Sequence, residues 1–112
     1  MTQLLLDSLL EGRGIHAAAL YGSDGTSLAE AGDVGSGPTI ASLLVPARAI
    51  VQTLQQTLNA QGWNDLLLDL ESGPLLLTPG QDGQVLAVAF DDLSSLGRVR
   101  LSVRRVLENL PG

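Results

Sequence analysis

The sequence has no cysteine and no lysine, and among its 112 residues it has one histidine and three aromatic side chains. Without cysteine there is no disulfide, no thiolate metal site and no cysteine nucleophile. The single His16 excludes metal sites built from several histidines, and a structural or surface role is expected for it rather than catalysis. Three aromatics leave no platform for stacking bases, and a net charge of −6 opposes contact with phosphate backbones. We therefore expect no nucleic-acid partner.

Long apolar runs are also missing. The longest, VLAVAF at residues 85–90, is far shorter than the roughly 20 residues that a membrane helix needs. Asp7 and Glu11 interrupt the apolar pattern of the first residues, which has no basic leader and so differs from a signal peptide. We expect a cytoplasmic protein without membrane insertion. A chain of 112 residues, 45% of them hydrophobic, predicts one folded domain over residues 1–112.

The stretch GDVGSGPT, residues 32–39, has the glycine spacing of a nucleotide-binding phosphate loop. Such a loop needs lysine after its last glycine to reach the β- and γ-phosphates, and here that place holds Pro38. The stretch also follows the second arm of a predicted hairpin rather than a buried parallel strand. We therefore interpret it as a loop that ends in a helix begun by proline, and expect no nucleotide hydrolysis by this chain.

Other chemistry has no constellation of residues to support it. Asp65, Asp69 and Glu71 alternate along one face of a predicted strand, where a solvated polar face is expected rather than a cation site. No serine lies in a G-x-S-x-G elbow, and no histidine and carboxylate pair is suggested by spacing. The sequence predicts a protein that is not an enzyme, with no catalytic residue, no cofactor and no metal site.

Hydrophobic periodicity predicts eight elements in the order α-β-β-α-β-β-β-α, which is an α+β fold. Asp24-Gly25 marks a tight hairpin turn between two apolar-rich runs, since glycine accepts the positive φ angles that such a turn requires. Asp91 and Asp92 precede the last helix, where negative charge is favoured by the helix dipole. The predicted helices are 2–12, 38–61 and 94–110, and the predicted strands are the two arms of the hairpin within 15–32, then 63–71, 75–78 and 84–90.

The long helix has one apolar stripe and two flanks of different character. The stripe is expected to face the sheet. Pro46 lies inside the predicted helix, and it is expected to kink the helix or break its first turns. Residues of the stripe are Ile40, Leu44, Ala47, Val51, Leu54 and Leu58. The apolar flank consists of Leu43, Ile50, Thr53 and Thr57. The polar flank consists of Arg48, Gln52, Gln55, Gln56 and Asn59.

The whole chain resembles the Roadblock family of dynein light chains and GTPase-regulator domains. The resemblance rests on LLDSLLEGRGIHAAALYGSDGTSLAEAG, on ARAIVQTLQQTL in the long helix, on LLLDLESGPLLLTPGQDGQVLAVAF, and on LGRVRLSVRRVLENL at the end. It implies a five-stranded antiparallel sheet with the long helix on one face and the terminal helices on the other. It also implies a non-enzymatic homodimer with one continuous sheet, and a small Ras-like GTPase as the partner.

The resemblance and the flanks together predict two surfaces. Pairing of strand 63–71 with its copy, beside the two long helices, would form the dimer interface, through Leu43, Ile50, Thr53, Thr57, Trp63, Asp65, Leu67 and Asp69. The polar flank would receive the GTPase, through Arg48, Gln52, Gln55, Gln56 and Asn59, and the arginines Arg98, Arg104 and Arg105 of the last helix are the next candidates. A small-molecule sensor of the PAS or GAF type, or a signalling-scaffold domain, remains the alternative function.

Overall fold

The computed structural model describes residues 2–12, 14–33 and 40–110. Three helices and five strands follow one another in the predicted order, and two short 3₁₀ turns, Gln81–Gly83 and Leu93–Ser95, precede β5 and α3. The helices are α1 Thr2–Leu10, α2 Ile40–Leu58 and α3 Leu96–Asn109. The strands are β1 Ile15–Tyr21, β2 Ser27–Gly32, β3 Leu66–Leu70, β4 Gly73–Pro79 and β5 Val85–Phe90. The predicted α+β class and element order are confirmed. The proposed helix start at Pro38 and the glycine loop before it lie outside the described residues.

The five strands form one antiparallel sheet in the order β2-β1-β5-β4-β3. The central β5 is the apolar run found in the sequence. Its side chains are buried on both faces of the sheet, which is why it does not alternate with polar residues. The pairing register of β1 with β2 shifts between Leu20 and Tyr21, next to the predicted hairpin turn. In that turn the Asp24 carboxylate accepts a hydrogen bond from the Thr26 amide at 3.0 Å, which lowers the pKa of Asp24.

The core has two layers, one on each face of the sheet. On one face α1 and α3 pack together over β2, β1, β5 and β4, with Leu6, Phe90 and Val103 fully buried. On the other face α2 alone covers the sheet, through Leu44 and Ala47. This arrangement, with the long helix on one face and the terminal helices on the other, is the one that the family resemblance implied.

Helix α2 continues through Pro46 as one helix, so of the predicted kink or break the break does not occur. It ends at Leu58 rather than at residue 61. Leu54 and Leu58, predicted to lie in the core stripe, are 48% and 72% exposed. Val51 is the last residue of α2 that is buried. The side chain of Ile40 lies outside the described residues.

The last helix begins slightly later than predicted. Asp92 caps the preceding 3₁₀ turn, where its carboxylate accepts a hydrogen bond from the Ser94 amide at 2.9 Å. This bond lowers the pKa of Asp92, because it is made to the charged form of the carboxylate. The α-helical part then starts at Leu96.

Candidate interaction surfaces

The apolar flank of α2 lies at the surface. Ile50 is 50% exposed, Thr53 and Thr57 are exposed, and Leu43 is partly buried against the α2 layer of the core. The Thr57 hydroxyl donates to the Thr53 carbonyl at 2.9 Å, so its hydrogen-bonding capacity is used within the helix. The flank is therefore chiefly apolar, and the exposed Leu54 extends it along the helix.

Strand β3 is an edge of the sheet near this flank. Within the described residues it pairs only with β4, so its other side carries the unpaired backbone groups of an edge strand. Leu66 and Leu68 are partly buried in the α2 layer, and Leu70 on the same side is exposed. The predicted dimer interface includes four residues of this region, Trp63, Asp65, Leu67 and Asp69. They are divided between the two faces of the sheet.

Two of those four lie before β3, which is shorter than predicted. Trp63 packs against the α2 layer, whereas Leu67 packs against the layer of α1 and α3. Asp65 belongs to the second side, where its two oxygens accept hydrogen bonds from Nε and Nη2 of Arg100 at 2.8 and 3.0 Å. These bonds raise the pKa of Arg100 above its usual value. Asp69 is exposed. Nothing in a single chain tests whether these residues meet a partner, so their assignment stays a prediction.

The polar flank of α2 contains one residue that is already engaged within the chain. The Arg48 guanidinium donates hydrogen bonds to the carbonyls of Ser23, Gly22 and Gly83, the last two at 3.1 and 3.0 Å. It thereby joins α2 to the β1–β2 turn and to the turn before β5. The assignment of the polar flank to a GTPase is likewise untested.

A groove of about 360 Å³ lies between α2 and these turns, beside the Arg48 hydrogen bonds. Its lining includes Gln52, Gln55, Trp63 and Gln84, and Arg48 lies at its wall. Gln56 and Asn59 are exposed farther along α2. A sensor of small molecules needs an internal cavity with convergent polar groups. Among the described residues the buried core is wholly hydrophobic, which gives the sensor alternative no support.

The single histidine, His16, contacts a carboxylate at the surface. Its Nδ1 lies 2.8 Å from a carboxylate oxygen of Asp91, and both side chains are largely solvent-exposed. In the described part of the chain, no three carboxylate or histidine side chains are grouped so that they could hold a metal ion. No helix there is long and apolar enough to cross a membrane.

Sequence reasoning missed the hydrogen bonds of Arg48 and the Arg100–Asp65 pair. The partners are 25 to 35 positions apart along the chain, so no local pattern relates them. An arginine on the flank of an amphipathic helix is ordinarily solvated, and only the packing of α2 and α3 on the sheet brings these two against their acceptors.

The sequence matches a known family model, and the fold is similar to that of solved structures. A family model described as the Roadblock/LC7 domain matches residues 1–90. The structure is similar to MglB of Myxococcus xanthus, with a TM-score of 0.83 and 23% identity over 96% of this chain and 89% of that one. For the gliding protein mglB of Thermus thermophilus the TM-score is 0.79, with 22% identity over 96% of this chain and 83% of that one.

A Roadblock/LC7 domain from Streptomyces avermitilis is also similar, with a TM-score of 0.73 and 15% identity over 95% of this chain and 91% of that one. No curated protein sequence is significantly similar to the chain. The solved structures share the fold, and the family model covers most of the sequence, from the first helix to the end of β5. The chain belongs to the Roadblock/LC7 domain family.

Proposed function

We propose that the protein is a homodimer that binds a small Ras-like GTPase, which it regulates or holds in place without catalysing a reaction itself. The observation that carries the proposal is the combination of an exposed apolar flank on α2 with an unpaired edge at β3. The family resemblance supplies the GTPase as the expected partner. The absence of a catalytic constellation from the sequence supports a role in binding.

Pairing β3 with its own copy completes the edge of each sheet. Two antiparallel copies of the same strand meet across a two-fold axis, so each residue of one copy contacts the corresponding surface of the other. The two α2 helices then lie side by side, and the apolar flank of each is covered by the other. Burying the exposed half of a large aliphatic side chain contributes roughly 1 kcal/mol, so Ile50 and Leu54 in both copies supply several kcal/mol.

The same pairing doubles the polar flank beside the helix pair. Gln52, Gln55, Gln56 and Asn59 of each chain offer amide donors and acceptors, which suit the mixed polar and apolar surface of a GTPase switch region. Arg48 contributes differently from the sequence expectation. Because three of its five N–H donors are bonded to backbone carbonyls, it would position the turns next to this surface.

The dimer is tested with a substitution on each side of α2. We expect dimer mass for the wild type by light scattering at micromolar concentration and monomer mass for Ile50→Asp, because the carboxylate would be buried unpaired between the helices. Val45→Asp is the matched control, since Val45 is 77% exposed on another side of the same helix and should leave the mass unchanged. Monomer mass for the wild type would refute the dimer.

The partner site is tested by capture of small Ras-like GTPases in both nucleotide states. Gln52→Ala with Gln56→Ala should weaken capture while dimer mass and melting temperature stay nearly constant. Arg98→Gln with Arg105→Gln, on the opposite face of the sheet, is the control and should bind like the wild type. If the Gln52→Ala/Gln56→Ala variant captures the GTPase as well as the wild type does, the partner site does not lie on the polar flank.

A further inference from the structure

Positive charge is concentrated on one helix of an acidic protein. Four arginines and one glutamate give α3 a formal charge of +3, whereas two arginines and eleven carboxylates give the rest of the chain −9, for a net −6. Helix α3 packs on the face of the sheet opposite α2, so this charge lies away from the proposed GTPase site. The uneven distribution creates a local positive field on a molecule that is negative elsewhere.

The four arginines of α3 are not equivalent. Arg100 is turned toward the sheet and paired with Asp65 through two hydrogen bonds. Arg98, Arg104 and Arg105 are exposed, and within the described residues none of them has an ion-pair partner. Three cations therefore remain available on the outer surface of the helix.

An exposed leucine lies among these three cations. Leu101 is 55% exposed, and Arg98, Arg104 and Arg105 are three or four positions away from it, which makes them its neighbours on the helix surface. We name these four residues the arginine ridge. An apolar contact surrounded by charged hydrogen-bond donors suits a partner with the reverse charge around an apolar side chain.

We propose that the arginine ridge is a docking site for a short acidic segment of another protein, in which carboxylates flank an apolar side chain. Charge complementarity favours a short segment over a wide anionic surface. Exposed charges interact over roughly 10 Å at ordinary salt, so a short segment bound at the arginine ridge interacts electrostatically mainly with the ridge itself. A bilayer or a nucleic acid would also meet the nine net negative charges of the remaining chain.

The probe is a fluorescein-labelled peptide of Glu-Glu-Leu-Asp repeats, whose binding to the 112-residue chain is measured by fluorescence anisotropy. We expect binding by the wild type that weakens as salt rises. Arg98→Gln/Arg104→Gln/Arg105→Gln should weaken it about tenfold or more, since three charge-assisted contacts are lost. Leu101→Ser leaves the charges in place and should weaken it less, which tests the apolar contact independently.

The matched control, Gln61→Glu/Ser72→Asp/Gln81→Glu, changes the net charge by the same amount at three exposed positions outside α3. It should bind nearly like the wild type. If both triple variants lose the same amount of peptide affinity, the net charge of the protein alone determines peptide binding, and the proposal is overturned. Absence of peptide binding, or stronger binding to vesicles of equal parts phosphatidylcholine and phosphatidylserine than to the peptide, would also overturn it. Because capture of a GTPase is measured with α2 variants, its failure and the failure of this proposal are separate results.

Discussion

Arg48 links three segments of the fold, and its removal has a calculable cost. Its guanidinium donates to carbonyls of the β1–β2 turn and of the turn before β5, and one of these bonds is partly buried. Hydrogen bonds to a charged group contribute about 1.5–3 kcal/mol each when protected, and much less where water replaces them. With two of the three bonds exposed, we expect Arg48→Ala to lower the free energy of unfolding by about 1–2 kcal/mol.

A loss of that size is measurable by calorimetry. For a domain of this length 1 kcal/mol corresponds to about 4–8 °C in melting temperature, so a decrease of roughly 4–16 °C is expected at fixed protein concentration. Arg48→Lys keeps the charge but lacks the planar fork that reaches separate acceptors, so it should recover less than half of the loss. Hydrogen exchange of the Gly25 amide should accelerate, because this amide donates to the Gly22 carbonyl that Arg48 also holds.

The control for this experiment lies on the same flank. Gln52→Ala should change stability by less than about 0.5 kcal/mol, as is usual for an exposed side chain. Arginine and alanine are both good helix formers, so helix propensity does not account for the predicted difference. If Arg48→Ala melts like Gln52→Ala and exchange at Gly25 is unchanged, the three hydrogen bonds do not stabilise the turns and the reasoning is refuted.

Two further predictions concern the alkaline range and a close backbone contact. Burial, and then the nearby charge of Glu30, raise the pKa of Tyr21 above 10.0. Without lysine or cysteine, Tyr21 is the only side chain that titrates between about pH 8 and 12. As pH rises, the unfolded chain loses the Tyr21 proton at a lower pH than the folded protein does, so the melting temperature should fall as pH rises past about 10. The melting temperature of Tyr21→Phe should fall less over the same range. An equal fall in the wild type and in Tyr21→Phe would contradict the assignment of this pH dependence to Tyr21. Gly32→Ala should destabilise far more than Gly25→Ala in urea unfolding. Both glycines have φ near +80°. An added Cβ at Gly32 would collide with the His16 carbonyl oxygen, whereas at Gly25 it would meet nothing within 4 Å. Equal losses would show that φ alone matters.

Much of the architecture was predictable because its determinants are local. The 3.6-residue period of Val99, Val103 and Val106 specifies the buried side of α3, and the Asp24-Gly25 pair specifies the hairpin turn. The unbroken apolar run of β5 indicates a strand covered on both faces, which is the central position that it occupies.

The candidate surfaces were predictable only in part. Periodicity showed which direction Leu54 and Leu58 point from the helix axis, but not that the core contact ends at Val51. Pro46 lies inside an unbroken α2, although the residue type alone suggested a kink or a break. The dimer and partner residues named from the sequence remain predictions, since their roles depend on a second chain.

Short-range patterns in the sequence specify the elements, their order and the apolar side of each, because periodicity, turn residues and caps act over a few positions. Which polar side chains are engaged and which are free depends on the packed fold. Arg48 and Arg100 are bound to acceptors 25 to 35 positions away, while Arg98, Arg104 and Arg105 remain exposed. All five lie off the buried apolar side of their helices. Their difference arises only when the helices pack on the sheet, because the distance between a guanidinium and a remote carbonyl or carboxylate is set by the whole fold.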